Sequence, residues 1–145
     1  MNPTEFFDLA KQLSKFGNAG VRSAVSRGYY AAFHLASSIL QDNNVKPKGR
    51  SHGDITRVLS QADLQVAFDA QSLLGDLQAE RVKADYRIHD ENYETSAFAN
   101  DNLELTRTII ELLEQLQDEC KDTNSDAKSK LVEGFESLKR KNIIR

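Results

Sequence analysis

"AVSRGYYAAFH", residues Ala24 to His34, decides the fold. It is rich in alanine, holds no proline, and sits in a longer run from about Val21 to Gln41 whose apolar residues recur at helical spacing. Val25, Tyr29, Ala32, Ala36 and Leu40 form one stripe, and Gly28, Ala31 and Ala32 let a neighbouring helix come close. A helix that only packed would need those residues alone. This one also carries Ser26, Arg27, Tyr30 and His34. Residues at i, i+3, i+4 and i+7 share a helix face, so Arg27, Tyr30, Ala31 and His34 lie together beside the stripe. Arg27 and His34 are two turns apart, about 10 Å along the axis.

Outward from this helix the chain reads as helices joined by short connections. Asn2-Pro3-Thr4-Glu5 is a start signal, with Asn2 as cap and Glu5 closing a capping box. Phe6, Leu9, Leu13 and Phe16 follow as the expected buried stripe, and Gly17-Asn18 and Gly20 break that helix. "DNNVKPKG", Asp42 to Gly49, is a loop by composition. Ser51-His52-Gly53-Asp54 is a second capping box, ahead of Ile55, Val58 and Leu59. Asp63 is expected to open a helix with Leu64, Ala67, Leu74 and Leu77 inward, running toward Tyr86. Thr95 or Ser96 opens a long one with Ala99, Leu103, Ile110, Leu113 and Leu116 inside. Leu131, Phe135 and Leu138 mark a final amphipathic helix after a linker at Asp122–Asp126.

Strand signals are nearly absent, and no Asn-Gly or Asp-Gly pair invites a hairpin. Short links force successive helices to run in opposite directions. The expected fold is therefore all-α: an antiparallel up-down bundle of four main helices plus short accessory helices. Residues 1–120 would form the bundle and 121–145 a linker with a short basic helix or tail.

Composition narrows the function classes. With 145 residues, 28% charged, 39% hydrophobic, seven Gly and two Pro, the chain fits one soluble helical domain. No apolar run reaches the ~18 residues of a membrane span. The lone Cys120 offers neither a disulfide nor a metal-ligand pattern, so a reducing, cytoplasmic setting, no membrane partner, no metal and no cofactor are expected. The net charge of −3 is uneven: residues 121–145 carry seven Lys/Arg against four Asp/Glu. A second basic cluster, Lys46, Lys48, Arg50 and Arg57, is offset only by Asp54. Each patch alone reads as solvated surface charge, yet together they leave room for nucleic acid.

A second concentration of polar chemistry is "ERVKADYRIHDENY", Glu80 to Tyr93. Arg81 and Asp85 are i and i+4, within ion-pair reach. Tyr86, Arg87 and His89 follow where helix gives way to loop. Arginine beside hydroxyls and imidazole can hold a phosphate, and a neutral histidine can move a proton. The plainer reading pairs the arginines with acids and packs the tyrosines. His52 reads first as helix-capping chemistry, with phosphate contact as its alternative.

The two segments together resemble HEPN-domain proteins, in the small bacterial and archaeal branch built of little more than the domain. Ser26-Arg27-Gly28-Tyr29-Tyr30-Ala31-Ala32-Phe33-His34 is similar to that branch's "SRxYYAxFH", Ser51-His52-Gly53 follows a Lys/Pro loop, and Arg81-Val82-Lys83-Ala84-Asp85-Tyr86 is similar to "RxxADY". The resemblance spans roughly residues 5–118. It implies a helical bundle, commonly a homodimer, with an RNA- or nucleotide-related role. Many members are metal-independent endoribonucleases, toxins paired with a nucleotidyltransferase-like antitoxin, or parts of defence systems. In that chemistry the ribose 2′-OH attacks the adjacent phosphate, His moves the proton and Arg steadies the phosphorane.

By that resemblance Arg81, His89 and His34 are the catalytic candidates, and Ser26, Arg27, Tyr30, Asp85, Tyr86 and His52 the phosphate- or nucleic-acid-binding ones. The chain departs from the family's Arg-x4-6-His motif. After Arg81 the motif's first histidine position holds Tyr86, and His89 leaves seven residues between. Tyrosine, with a reference pKa near 10, is a poor base at neutral pH but still donates a hydrogen bond to phosphate. Three readings stay open: ribonuclease, non-catalytic RNA or nucleotide binder, and docking subunit for a nucleotidyltransferase. Tyr86 beside Arg81 is also a candidate acceptor for nucleotide transfer by such a partner.

Overall fold

A computed structural model describes all residues, 1–145. The fold is an all-α helical bundle. Six α-helices, α1 (Glu5–Leu13), α2 (Gly17–Asp42), α3 (His52–Gln61), α4 (Gln65–Tyr86), α5 (Ser96–Lys121) and α6 (Ala127–Arg140), are joined by short connections, with one 3-10 turn at Glu91–Glu94. No helix is long and apolar enough to cross a membrane.

The helices form two compact units. The first holds residues 1–34 and 73–110, the second 35–72 and 111–145, so α2, α4 and α5 each contribute a portion to both. In the first unit the α2 stripe is buried at Val25, Tyr29 and Ala32 as its periodicity requires. Gly28 faces α5 so closely that a Cβ there would lie 2.6 Å from Thr106 Oγ1. Thr106 is itself buried and turns its hydroxyl back to the Asn102 carbonyl, 2.8 Å away. A side chain at this position would press on the Thr106 side chain, and glycine leaves that space free.

The start of α1 departs from the expected cap: the helix begins at Glu5 with Thr4 as its N-cap and no side-chain cap bond, although Asn2 Oδ1 accepts from the Thr4 amide at 3.1 Å and Glu5 Oε1 from the Asn2 amide at 3.2 Å. Its buried face is different from the expected one. Phe7 and Ala10 are buried, whereas Leu9 and Phe16 are exposed and Phe6 is half-buried. Adjacent Phe6 and Phe7 offer two stripes one residue apart, and packing in the first unit selects the second. The glycines also break the chain less than expected. Gly17 takes a left-handed φ of +63° and α2 starts there, leaving Gly20 inside its first turns.

In the second unit α3 packs against α6, and Ile55, Val58 and Leu59 of the one and Leu131, Phe135 and Leu138 of the other are buried. The Ser51–Asp54 capping box is complete: the Asp54 amide donates to Ser51 Oγ at 3.1 Å and the Ser51 amide to Asp54 Oδ2 at 3.4 Å. Gly134 of α6 lies against the end of α3, where a Cβ would come within 2.8 Å of the Gln61 carbonyl oxygen. Asp63 does not cap α4. It adopts a left-handed φ of +54°, its carbonyl accepts from Lys130 Nζ at 3.3 Å, and α4 begins at Gln65.

Candidate functional site

The polar residues of α2 and of the end of α4 come together in the first unit. The i, i+4 spacing of Tyr30 and His34 stacks their rings at 5.8 Å with planes 22° apart. Phe6, on the face that α1 leaves outside its core, reaches the His34 ring at 5.6 Å, and the exposed Arg27 guanidinium lies 6.0 Å from the Phe6 ring. Arg81 also reaches Tyr30, its guanidinium 5.9 Å from the Tyr30 ring and 5.3 Å from the Tyr29 ring. Arg27, Phe6, His34, Tyr30 and Arg81 thus form one continuous strip of rings capped by a guanidinium at each end.

The two arginines are held differently. Arg27 is exposed and makes no ion pair. Arg81 donates from Nη1 to Asp85 Oδ2 at 3.0 Å and from Nε to Gln78 Oε1 at 3.4 Å, and its side chain is 15% exposed. Burial works against its charge, but the Asp85 hydrogen bond and the nearby Tyr30 outweigh that cost and drive its pKa further up. Arg81 is therefore a fixed cation. Beneath it, burial pushes the Tyr29 hydroxyl up to about 12, which keeps Tyr29 a neutral platform. Ser26 is half-buried on α2.

Tyr86 ends α4 with 72% of its surface exposed, and His89 is exposed in the following loop. His52 opens α3 in the second unit, where its carbonyl accepts from Thr56 Oγ1 at 2.9 Å. No three His, Cys, Asp or Glu side chains meet in a metal-ligand arrangement.

The residue that sequence reasoning missed is Arg22. Its Nε donates to Glu94 Oε1 at 2.9 Å. Nη1 donates to the carbonyls of Ala84 (2.8 Å) and Arg87 (3.1 Å), and Nη2 to those of Asp90 (3.0 Å) and Ile88 (3.4 Å). One guanidinium thus caps the end of α4 and fastens the loop that carries His89. Asn18 adds a bond from Nδ2 to Glu94 Oε2 at 2.8 Å. The available signal was "ADYRIHD" itself: a helix that ends without glycine leaves carbonyls needing a donor from elsewhere.

An open pocket of about 560 Å³ in the second unit is lined by Asp42, Cys120, Lys121 and Lys128 among others. It contains none of the motif residues. Burial, with Glu119 beside it, pushes the Cys120 thiol up, so it is a poor nucleophile.

The HEPN domain family model matches residues 4–117, which include every helix of the strip and the whole Arg22-fastened loop. No curated protein and no solved structure matches the chain. With most of its length covered by that model, the chain belongs to the HEPN-domain family.

Proposed function

We propose that this protein binds single-stranded RNA along the Arg27–Phe6–His34–Tyr30–Arg81 strip. The observation that carries the reading is the unbroken run of ring and guanidinium contacts from the exposed Arg27 to the Asp85-held Arg81. Bases stack on aromatic faces and arginines grip the phosphates between them, so such a strip suits an extended polymer. Fluorescence anisotropy with a labelled single-stranded RNA tests this. Arg27→Ala is expected to weaken binding about three- to tenfold near 100 mM salt and to lower the slope of log affinity against log salt by about 0.7. Equal binding by the variant would refute it.

Metal-independent RNA cleavage is the second reading, favoured by the exposure of His89 on a loop that Arg22 holds in place. Its signature is RNA cut in the presence of EDTA to 2′,3′-cyclic phosphate ends, with cutting lost in His89→Ala. RNA that stays intact while bound assigns the binding role. The family context adds a homodimer and a nucleotidyltransferase-like antitoxin acting in the cytoplasm to this proposal. The exposed Tyr86 hydroxyl is the acceptor such an enzyme would reach, releasing pyrophosphate from a nucleoside triphosphate. A nucleotide-sized mass increase on Tyr86 after co-expression is the required result.

A further inference from the structure

The two basic clusters of the sequence, Lys46–Arg57 and Lys139–Arg145, lie more than eighty residues apart in the chain. In the second unit they become neighbours. The Lys48 amide donates to the Arg145 carbonyl at 2.7 Å, and Ile144 is buried beside this junction at 5% exposure. The tail reaches it by a tight reversal: Asn142 takes a left-handed φ of +55° and the Ile143 amide donates to the Leu138 carbonyl at 3.0 Å. Helices α3 and α6 are antiparallel, since Gly134 meets the end of α3 at Gln61 while the residues after α6 meet the loop before α3. The last, basic turn of α6 is thereby carried to the same end of the unit as Arg50 and the start of α3.

The charge at this end is one-sided. Residues 46–57 and 139–145 hold eight Lys and Arg and a single acid, Asp54. The rest of the second unit holds three basic residues against eleven acidic ones. Asp54 is engaged in the capping box and lies 3.7 Å from Arg57, and Glu136 neutralises Lys139 at 2.7 Å. Lys46, Lys48, Arg50, Arg140, Lys141 and Arg145 are all exposed and none forms an ion pair. Concentrating like charges raises their mutual repulsion, an arrangement that a bound polyanion relieves by releasing its counterions to solvent.

We infer that this α3–α6 end is a second RNA surface, one that holds the phosphate backbone without reading bases. The choice of RNA as the polyanion rests on the proposed function. The one-sided charge of this end is independent of it. Only Ile143 among the large apolar residues here is exposed, which gives an anionic membrane little to insert and favours a nucleic acid. The surface differs from the first-unit strip in kind: it offers a cluster of cations rather than a run of stacked rings.

The test uses the full chain and a labelled 20-nucleotide oligouridine, with affinity measured across a salt series. The variant replaces Lys46, Lys48, Arg140 and Lys141 by Gln. Lys48 contributes its backbone amide to the Arg145 contact, so the substitution keeps that bond. Thermal melts check folding, and the two halves, K46Q/K48Q and R140Q/K141Q, are measured separately in case the quadruple variant is unstable. The expected result is an affinity loss of about tenfold at 100 mM salt and a salt slope reduced by about three, with each half giving part of both. K121Q/K128Q, changed elsewhere in the same unit, is expected to match the unaltered chain. Binding unchanged in the quadruple variant overturns the inference. So does a variant that keeps RNA but loses binding to phosphatidylserine vesicles, which assigns the surface to membranes. Loss in the quadruple variant with none in Arg27→Ala would sink the first-unit strip and leave this surface standing. The converse result would do the opposite.

Discussion

Arg22 illustrates how one side chain can organise a site without touching a ligand. Its bonds to Glu94 and to four carbonyls bring residues from 62 to 72 positions away onto α2, and both members of the ion pair are largely shielded, at 12% and 18% exposure. Removing it leaves Glu94 with Asn18 as its one remaining side-chain donor and takes the guanidinium away from several carbonyls. Arg22→Ala is therefore expected to cost about 2–4 kcal/mol in chemical denaturation. Hydrogen exchange should accelerate first at residues 84–94. Uniform acceleration along the chain would contradict the clamp. Tyr29 gives a second prediction at this scale. Its hydroxyl, raised from 10.0 to about 12, stays protonated in the fold after the unfolded chain has lost that proton. The stabilisation this represents, about 2–3 kcal/mol, is complete below pH 10 and disappears as pH climbs toward 12. Urea melts at pH 9 and pH 11.5 check it, and Tyr29→Phe should remove that part of the alkaline loss.

At the scale of elements, close approach between helices is the fragile feature. Gly28→Ala places a methyl group 2.6 Å from Thr106 Oγ1 and is expected to cost about 1–2 kcal/mol, despite alanine's better helix propensity. In the Gly28→Ala/Thr106→Ala double variant much of that cost should vanish, because the obstructing hydroxyl is gone. Additive losses in a double-mutant cycle would place the strain elsewhere. What the sequence revealed follows the same logic. The α2 stripe was legible because Val25, Tyr29, Ala32, Ala36 and Leu40 recur three and four residues apart and are all buried, although Ala24, Ala31, Leu35 and Ile39 beside them are buried as well. The Ser51–Asp54 capping box and the Arg81–Asp85 pair were legible because both are local, three and four residues apart. The α1 face was not, since Phe6 and Phe7 satisfy two phases and only the packed neighbours choose. Asp63 resembles an N-cap in sequence but is drawn to Lys130, whose contribution no local pattern announces.

For the whole molecule, the informative quantity is where charge and aromatic surface gather. A net charge of −3 conceals a basic α3–α6 end and an arginine-capped ring strip, each assembled from segments distant in the chain. The motifs were readable, and an up-down bundle with short links already allows α2 and the end of α4 to be neighbours; the contacts that join them were not readable, since periodicity places residues on faces while Arg22, Phe6 and Ile144 act through contacts across the fold. Photo-crosslinking of a 4-thiouridine RNA to the full chain, with peptide mapping, locates the bound strand on the molecule. The account predicts crosslinked peptides containing Phe6 and Tyr30–His34, lost when Arg27 and Tyr30 are both changed to alanine. A bound RNA whose crosslinks all lie outside residues 6–34 and 78–85 would contradict it.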